Sequence, residues 1–264
     1  MLQKRLNAAL ETAREVGRFI KERQGSLGRV VEKSSPLDLV TDVDREAQER
    51  IFERLQRQFP TDTYWGEESG YSLEDFSSTW VVDPIDGTTN YIHGLPGYTV
   101  SIAYYREGEP VVGVIECPDL QETFWASLDL GAYLNGKRIT VSQEKDFQRA
   151  LLGTGFPHHK YHCDLVMPAY TRLMCRSQAL RALGSAALGV AYVGCGRLEG
   201  YFQLGLSFYD IAAGVCLLRE AGGRVCQLDG EPWTNESRTL LASNRSLEQA
   251  LLEEFSFMKE EKTH

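Results

Sequence analysis

Apolar residues Leu2, Leu6, Ala9, Ala13, Gly17 and Ile20 recur three or four positions apart. That period predicts an amphipathic helix over Leu2 to Arg23, ended by Gly25 and Gly28. A polar connector, KSSPLDLVTDVD, follows. Ala47, Ile51, Leu55 and Phe59 mark a second helix, which Pro60 stops. Thr41 and Asp44 stand before it with the spacing of a capping box. The pattern then changes period. Trp80 to Val82 is short, apolar and β-prone and reads as a buried strand. Tyr98 to Tyr105, Pro110 to Glu116 and Glu122 to Ala126 read as further strands, and Asn135-Gly136 signals a two-residue hairpin.

Around Val141 to Ala150 the chain becomes polar and loses strand character, which predicts a boundary between two halves, residues 1–145 and 146–264. The second half alternates. Leu151 to Thr154, Leu198 to Gln203, Arg224 to Leu228 and Thr239 to Ala242 read as strands. Gly184 to Gly196, Asp210 to Ala221 and Leu247 to Met258 read as helices, the second of them closed by Gly222-Gly223. There is no internal repeat and no low-complexity stretch.

Composition narrows the classes. The 264 residues are 42% hydrophobic and 25% charged, an ordinary globular profile that excludes disordered and disulfide-scaffold chains. No apolar run approaches the ~20 residues of a membrane helix, and the charged N-terminus lacks the apolar stretch of a secretory signal. The expectation is a cytoplasmic protein with no membrane partner. Its six cysteines form no C-x-x-C pair and read as buried, reduced thiols.

Net charge is −9, and its distribution is uneven. Thr61 to Trp125 holds 12 acidic residues and one basic residue, Arg106, whereas the segments on either side balance at +2 and 0. Nothing basic and clustered points to nucleic acid as a primary ligand. A concentrated block of carboxylates reads either as a solvated face or as a site for hard cations. Glu74, Asp75, Glu107, Glu109, Asp119 and Glu122 take the first reading.

The string VVDPIDGTTN favours the second for part of the block. Asp83 ends a buried strand, Pro84 fixes a turn, and Asp86 lies three residues on. Two carboxylates aimed at one point repel unless a cation lies between them. Gly87 allows close backbone approach, and Thr88 and Thr89 bring N–H groups and hydroxyls, the makings of an anion cradle. A surface turn is the plain alternative, but D-P-x-D-G-T arises by chance in such a chain on the order of once in ten thousand. Upstream, Glu67 in WGEESG can complete a metal site or activate water. Downstream, Asp210 opens YDIAAGVCLLREAGG, where helix capping and outward metal ligation both fit an aspartate. In SSPLDLVTDVD, Asp38, Asp42 and Asp44 sit by the second helix. Capping is the first reading there, and support of a cation the second.

Taken in order, DLVTDVD, GEE, DPIDGTTNY and D-I-A-A-G with E-A-G-G resemble the inositol monophosphatase family over nearly the full length, and GSAAL at Gly184 to Leu188 fits as well. The resemblance implies an α+β fold, a layered α-β-α-β-α sandwich of two fused subdomains, with the site at their junction. It implies a Mg²⁺-dependent, lithium-sensitive hydrolase of phosphate monoesters, inositol 1-phosphate first among them, with a small-molecule phosphate ester as partner and a homodimer as assembly. Carried over by residue, Glu67, Asp83 and the Ile85 carbonyl would hold one Mg²⁺, and Asp83, Asp86 and Asp210 a second. A third would sit near Glu67. Glu67, Thr88 and Asp83 would be catalytic, with Glu67 and Thr88 orienting the attacking water. The backbone of Gly87 and Thr88 would take the phosphate. Asp86, Gly184, Ser185, Ala186, Gln203 and Asp210 would line the polyol side.

Three positions depart from the family pattern. Gln203 stands where an acidic residue is common, Tyr209 where Trp is common, and Gly189 where Asp or Asn often follows GSAAL. All fall in the half that selects substrate, which leaves fructose 1,6-bisphosphate, histidinol phosphate, a nucleotide 3′-phosphate and NADP open. Two readings of other classes stand beside these. His158, His159, His162 and Cys163 in PHHKYHC could bind a transition metal, although Pro157, Lys160 and Tyr161 suggest an exposed loop. A regulatory binding protein could retain the phosphatase fold.

Overall fold

The computed structural model describes residues 2–25, 30–32, 39–69, 76–156 and 160–260, with the backbone alone for Glu32, Leu39, 160–163 and 259–260. The chain begins with α1 (Leu2–Arg23), the antiparallel pair β1 (Val30–Glu32) and β2 (Leu39–Thr41), and α2 (Asp42–Gln56). Helix α1 has the bounds its periodicity predicts and buries Leu6, Ala9, Ala13, Val16 and Ile20. The capping box of α2 is formed. Thr41 Oγ1 accepts from the amides of Val43 and Asp44, and Asp44 accepts from the Thr41 amide at 2.8 Å. The helix ends at Gln56, a turn before the expected stop at Pro60. Phe59 still packs in the core from the turn beyond it.

A seven-stranded sheet follows: β3 (Thr63–Gly66), β4 (Ser78–Asp86), then β5 (Thr99–Arg106), β6 (Glu109–Cys117), β7 (Glu122–Ser127), β8 (Gly131–Leu134) and β9 (Lys137–Ile139). The five residues of α3 (Thr88–Ile92) lie between β4 and β5. The strands pair in chain order; β3 runs parallel to β4 and every other pair is antiparallel. Asn135-Gly136 turns β8 into β9, as its dipeptide predicts.

The remaining elements are β10 (Leu151–Thr154), α4 (Lys160–Arg176), β11 (Ala179–Ala182), α5 (Ala186–Gly194), β12 (Gly200–Leu204), α6 (Phe208–Glu220), β13 (Arg224–Cys226), β14 (Thr239–Ser243), α7 (Glu248–Glu254) and α8 (Phe257–Glu260). Their strands form a second sheet in the order β11-β10-β12-β14-β13, parallel around β10 and antiparallel around β14. The single terminal helix expected over Leu247 to Met258 is two helices, broken at Phe255–Ser256. Helix α4 carries Pro168 inside it and begins in a polar segment, so its sequence gives no clean helical period.

Layering follows from which face each strand residue presents. Along β4 the side chains alternate, as a pleated strand requires. Trp80 and Val82 pack with α1 and α2, whereas Val81 packs with α5 and α6. Along β12, Tyr201 joins the α5–α6 layer and Phe202 packs against α4, α7 and Phe255. The order is therefore α1/α2, first sheet, α5/α6, second sheet, α4/α7: the five-layer α+β sandwich that the resemblance implies. Both sheets are covered on two faces, and so β4 is buried over Thr79 to Asp86.

Part of the acidic block departs from the solvated reading. Glu122 pairs with Arg197 and Asp119 with Lys21 at 3.5 Å, both carboxylates largely covered, whereas Glu109 meets Arg219 at 2.7 Å but stays solvated, 70% exposed. Glu74 and Asp75 lie outside the described residues, as do Gly28 and Asp38. Cys117, Cys216 and Cys226 are buried, but Cys175 is exposed, against the expectation for the thiols as a group.

Candidate active site

Strand β4 does not run straight into its end. Its register with β5 shifts between Asp83, opposite Ser101, and Asp86, opposite Thr99. Pro84 cannot donate to the ladder, and the irregularity falls there. Asp83 Oδ1 accepts from the Ile85 amide at 3.1 Å, which tightens the turn. Gly87 then adopts φ 93° and opens α3, and a Cβ at this position would come within 3.0 Å of the Gly184 carbonyl. Only glycine combines that backbone with that approach.

The two aspartates, Glu67 and Asp210 line one cavity of about 300 Å³. Glu67 arrives on a 3-10 turn, Glu67–Ser69, held by Gln48, whose Oε1 accepts from the Glu68 amide at 2.9 Å. Asp210 arrives on α6. It takes part in capping that helix, though not as the N-cap itself: it closes a capping box from the third helical position. Ser207 is the N-cap, and Asp210, in the first turn, accepts from the Ser207 amide at 2.7 Å. An aromatic stack ties the two arrivals together. The ring of Trp65, two residues before Glu67, lies 5.3 Å from Phe208, two residues before Asp210, at an interplanar angle of 20°. Tyr209 meets Trp65 edge-on.

The electrostatics of the cavity are those of crowded anions. Burial pushes the Asp83 carboxyl well above the ordinary carboxylate range, and Glu67, Asp86 and Asp210 push it further. Asp86 is raised by burial too, against the pull of its donors. Those donors are Ser185 Oγ at 2.5 Å, the amides of Ala187 at 2.7 Å and Ala186 at 3.2 Å, and Thr99 Oγ1 at 3.4 Å. Among the described residues, no three His, Cys, Asp or Glu side chains are already closed around a single metal position. The four carboxylates instead approach the cavity from three elements. Hard oxygen donors crowded around Asp83 suit a hard divalent cation, which would relieve the repulsion.

Thr88 stands beside them. Its Oγ1 donates within reach of two acceptors, the Ile85 carbonyl at 2.9 Å and Asp44 Oδ1 at 3.2 Å. Asp44 thus does more than cap α2: one oxygen receives Thr41 and the other faces Thr88.

Glu67, Asp83, Ile85, Asp86, Gly87, Thr88, Gly184, Ala186, Gln203 and Asp210 all line the cavity. Ser185 does not. It sits behind Asp86, where its hydroxyl and the start of α5 hold that carboxylate. Sequence reasoning passed over Asn90, Gly155, Phe156, Gly205 and Leu206, which complete the wall. Asn90 fixes the loop before Gly184 by donating to the carbonyls of Gly97 and Leu183. Asn90 closes the motif VVDPIDGTTN, which carries its signal, whereas Gly155, Phe156, Gly205 and Leu206 fall in no motif. His158 and His159 lie outside the described residues, and of His162 and Cys163 only the backbone is described, on α4.

Comparison with known proteins gives the family and the fold. The sequence model of the inositol monophosphatase family matches residues 1–260. The chain is 36% identical over 240 residues to the Thermotoga maritima protein named fructose-1,6-bisphosphatase/inositol-1-monophosphatase, covering 91% of each. It is 39% identical over 258 residues to the Pseudomonas aeruginosa protein named Nus factor SuhB, covering 95% of each. Among solved structures, the Thermotoga maritima IMPase superposes with a TM-score of 0.89 at 33% identity, over 98% of this chain and 99% of that one.

Proposed function

The chain belongs to the inositol monophosphatase family and is a phosphoric monoester hydrolase; from that premise we propose that it is a Mg²⁺-dependent enzyme acting first on inositol 1-phosphate, as a cytoplasmic homodimer. The observation that carries the reading is the meeting of Glu67, Asp83, Asp86 and Asp210 in one cavity with Thr88 at its edge.

Asp83 is central to the donor set, since the other three carboxylates all act on it. Glu67, Asp83 and the Ile85 carbonyl would hold one Mg²⁺, and Asp83, Asp86 and Asp210 a second, with a third near Glu67. Bound Mg²⁺ supplies neutralising charge to a phosphate dianion, a more acidic water and a hold on the leaving oxygen. The protein orients that water. With its proton given to Asp44 or to the Ile85 carbonyl, Thr88 presents lone pairs to a water, and the Glu67 carboxylate can accept a water proton. The first-turn amides of α3 have no partner within the helix, and those of Gly87 and Thr88 would take the phosphate oxygens. Gly184, Ala186 and Gln203, which line the same cavity, would bound the leaving-group side.

Among the described residues no helix is long and apolar enough to cross a bilayer. A phosphate-release panel with and without Mg²⁺ tests the reading, over inositol 1-phosphate, fructose 1,6-bisphosphate, histidinol phosphate, adenosine 3′,5′-bisphosphate and NADP. Fastest release from inositol 1-phosphate, only with Mg²⁺ and inhibited by Li⁺, is the expected result. Release from another ester would move the substrate and keep the chemistry. No release from any would favour the regulatory reading, to which the likeness to the protein named Nus factor SuhB lends weight.

A further inference from the structure

Gln203 and Gly189 depart from the family pattern separately in sequence, and Tyr201 joins them in space. Tyr201 is wholly buried on β12. Its ring fills a slot between β10 and α5. A Cβ on Gly153 would come within 3.0 Å of Tyr201 Cδ2, and a Cβ on Gly189 would strike the ring itself. A side chain at 189 and this tyrosine ring therefore exclude each other. From that slot the Tyr201 hydroxyl donates to Gln203 Oε1. The carboxamide lies over Gly155, where a Cβ would overlap its terminal atoms. Among the described residues no acceptor takes Gln203 Nε2, yet that nitrogen is not one of the sealed, unpartnered polar atoms. Gln203 lines the cavity together with Phe156, which is 53% exposed, and its unengaged N–H groups are the donors it has to offer there.

We infer that Tyr201 is a positioning residue that makes Gln203 a fixed hydrogen-bond donor, so that the leaving-group side selects a leaving group with a lone-pair oxygen at that point. The inference rests on the proposed reading of the cavity as a monoester hydrolase site. A carboxamide is both donor and acceptor; once its oxygen is engaged by Tyr201, only donation remains for substrate. A carboxylate at 203 could only accept. A hydroxyl satisfies either group, but an oxygen without hydrogen, such as a sugar ring oxygen, is served by the amide and repelled by the carboxylate. Gly189, Gly153 and Gly155 supply the space, and Tyr201 supplies the orientation.

The test is a double-variant cycle on the full-length enzyme with Mg²⁺: Tyr201→Phe, Gln203→Ala, the pair together, and Gln203→Glu. The substrates are inositol 1-phosphate and glucose 1-phosphate, the latter bearing a ring oxygen beside the phosphorylated carbon. Loss of one oriented hydrogen bond predicts a KM for Tyr201→Phe raised roughly three- to tenfold, with kcat held within about twofold. In the Gln203→Ala background, Tyr201→Phe adds nothing, because its effect passes through the amide. Gln203→Glu lowers kcat/KM for glucose 1-phosphate against inositol 1-phosphate by roughly tenfold. If wild-type enzyme releases phosphate but the effects of Tyr201→Phe and Gln203→Ala simply add, or Gln203→Glu leaves the ratio of the two esters unchanged, the inference falls alone. If wild type releases phosphate from neither of these but from another ester of the panel, the inference falls alone; if it releases phosphate from no ester, the inference falls together with the reading on which it rests.

Discussion

Ser185 Oγ donates to Asp86 Oδ2 across 2.5 Å, joining residues 99 apart in sequence. Asp86 ends β4 of the first sheet; Ser185 is the N-cap of α5, and its Oγ also accepts from the Leu188 amide at 3.1 Å. One hydroxyl thus caps a helix and fixes a carboxylate of the cavity. The two sides of the site are held in register by the group that would bind the cation.

Ser185→Ala removes both bonds and leaves a buried carboxylate one donor short. Lost capping and lost carboxylate pairing together predict a loss of about 1–3 kcal/mol in stability. Urea unfolding measures it, and Ser185→Thr, which keeps the hydroxyl, should recover most of the difference. An alanine variant as stable as wild type would show that the bond contributes nothing net.

Thr88→Ala removes the hydroxyl proposed to orient water while leaving the four carboxylates in place. Turnover should drop by about 10²- to 10⁴-fold, the range typical of one positioned proton-handling group, with KM little changed. Thr88→Ser keeps Oγ and should retain most of the rate. Steady-state kinetics on the best ester of the panel checks both. Equal losses in the serine and alanine variants would mean that the methyl group, not the hydroxyl, matters.

Glu116 gives a pH signature away from the cavity. Burial raises its carboxyl above the ordinary range, against a 2.6 Å bond from Thr123 Oγ1 and the nearby charges of Arg14 and Arg18. A raised folded value means that the proton is held more tightly folded than unfolded. The stability this confers is full below the ordinary glutamate value of about 4.3 and is lost as pH rises through the raised value. Wild type should therefore weaken relative to Glu116→Gln as pH climbs from about 4.3 toward neutrality. Unfolding curves for the two proteins at several pH values give the difference; a difference that does not vary with pH would contradict the assignment.

How much of this was legible beforehand depends on the range of each interaction. Helix α1, β10 and the Asn135-Gly136 hairpin carry their own signals and fall where sequence puts them. Helix α3 has five residues, too few for a period to show, and α4 starts in a polar stretch and contains Pro168. The acidic motifs named the cavity's carboxylates because Asp83 and Asp86 share one turn and each of the others opens a short motif. Asp44 facing Thr88, Ser185 behind Asp86 and Tyr201 on Gln203 were not legible as pairs. The first two join residues 44 and 99 positions apart. The third spans only two positions, but it depends on space left by Gly153 and Gly189 on other elements.

The central claim is that Asp83, pressed by three other carboxylates, is where divalent cations and hydrolysis meet. Its most direct test is Mg²⁺ titration of phosphate release from inositol 1-phosphate by wild type and Asp83→Asn, with folding checked by circular dichroism. The account predicts saturable Mg²⁺ activation of wild type and, in a folded variant, turnover lower by roughly 10³-fold or more, since a charge shared by two cations is lost. A folded Asp83→Asn enzyme with wild-type turnover and wild-type Mg²⁺ dependence would contradict it.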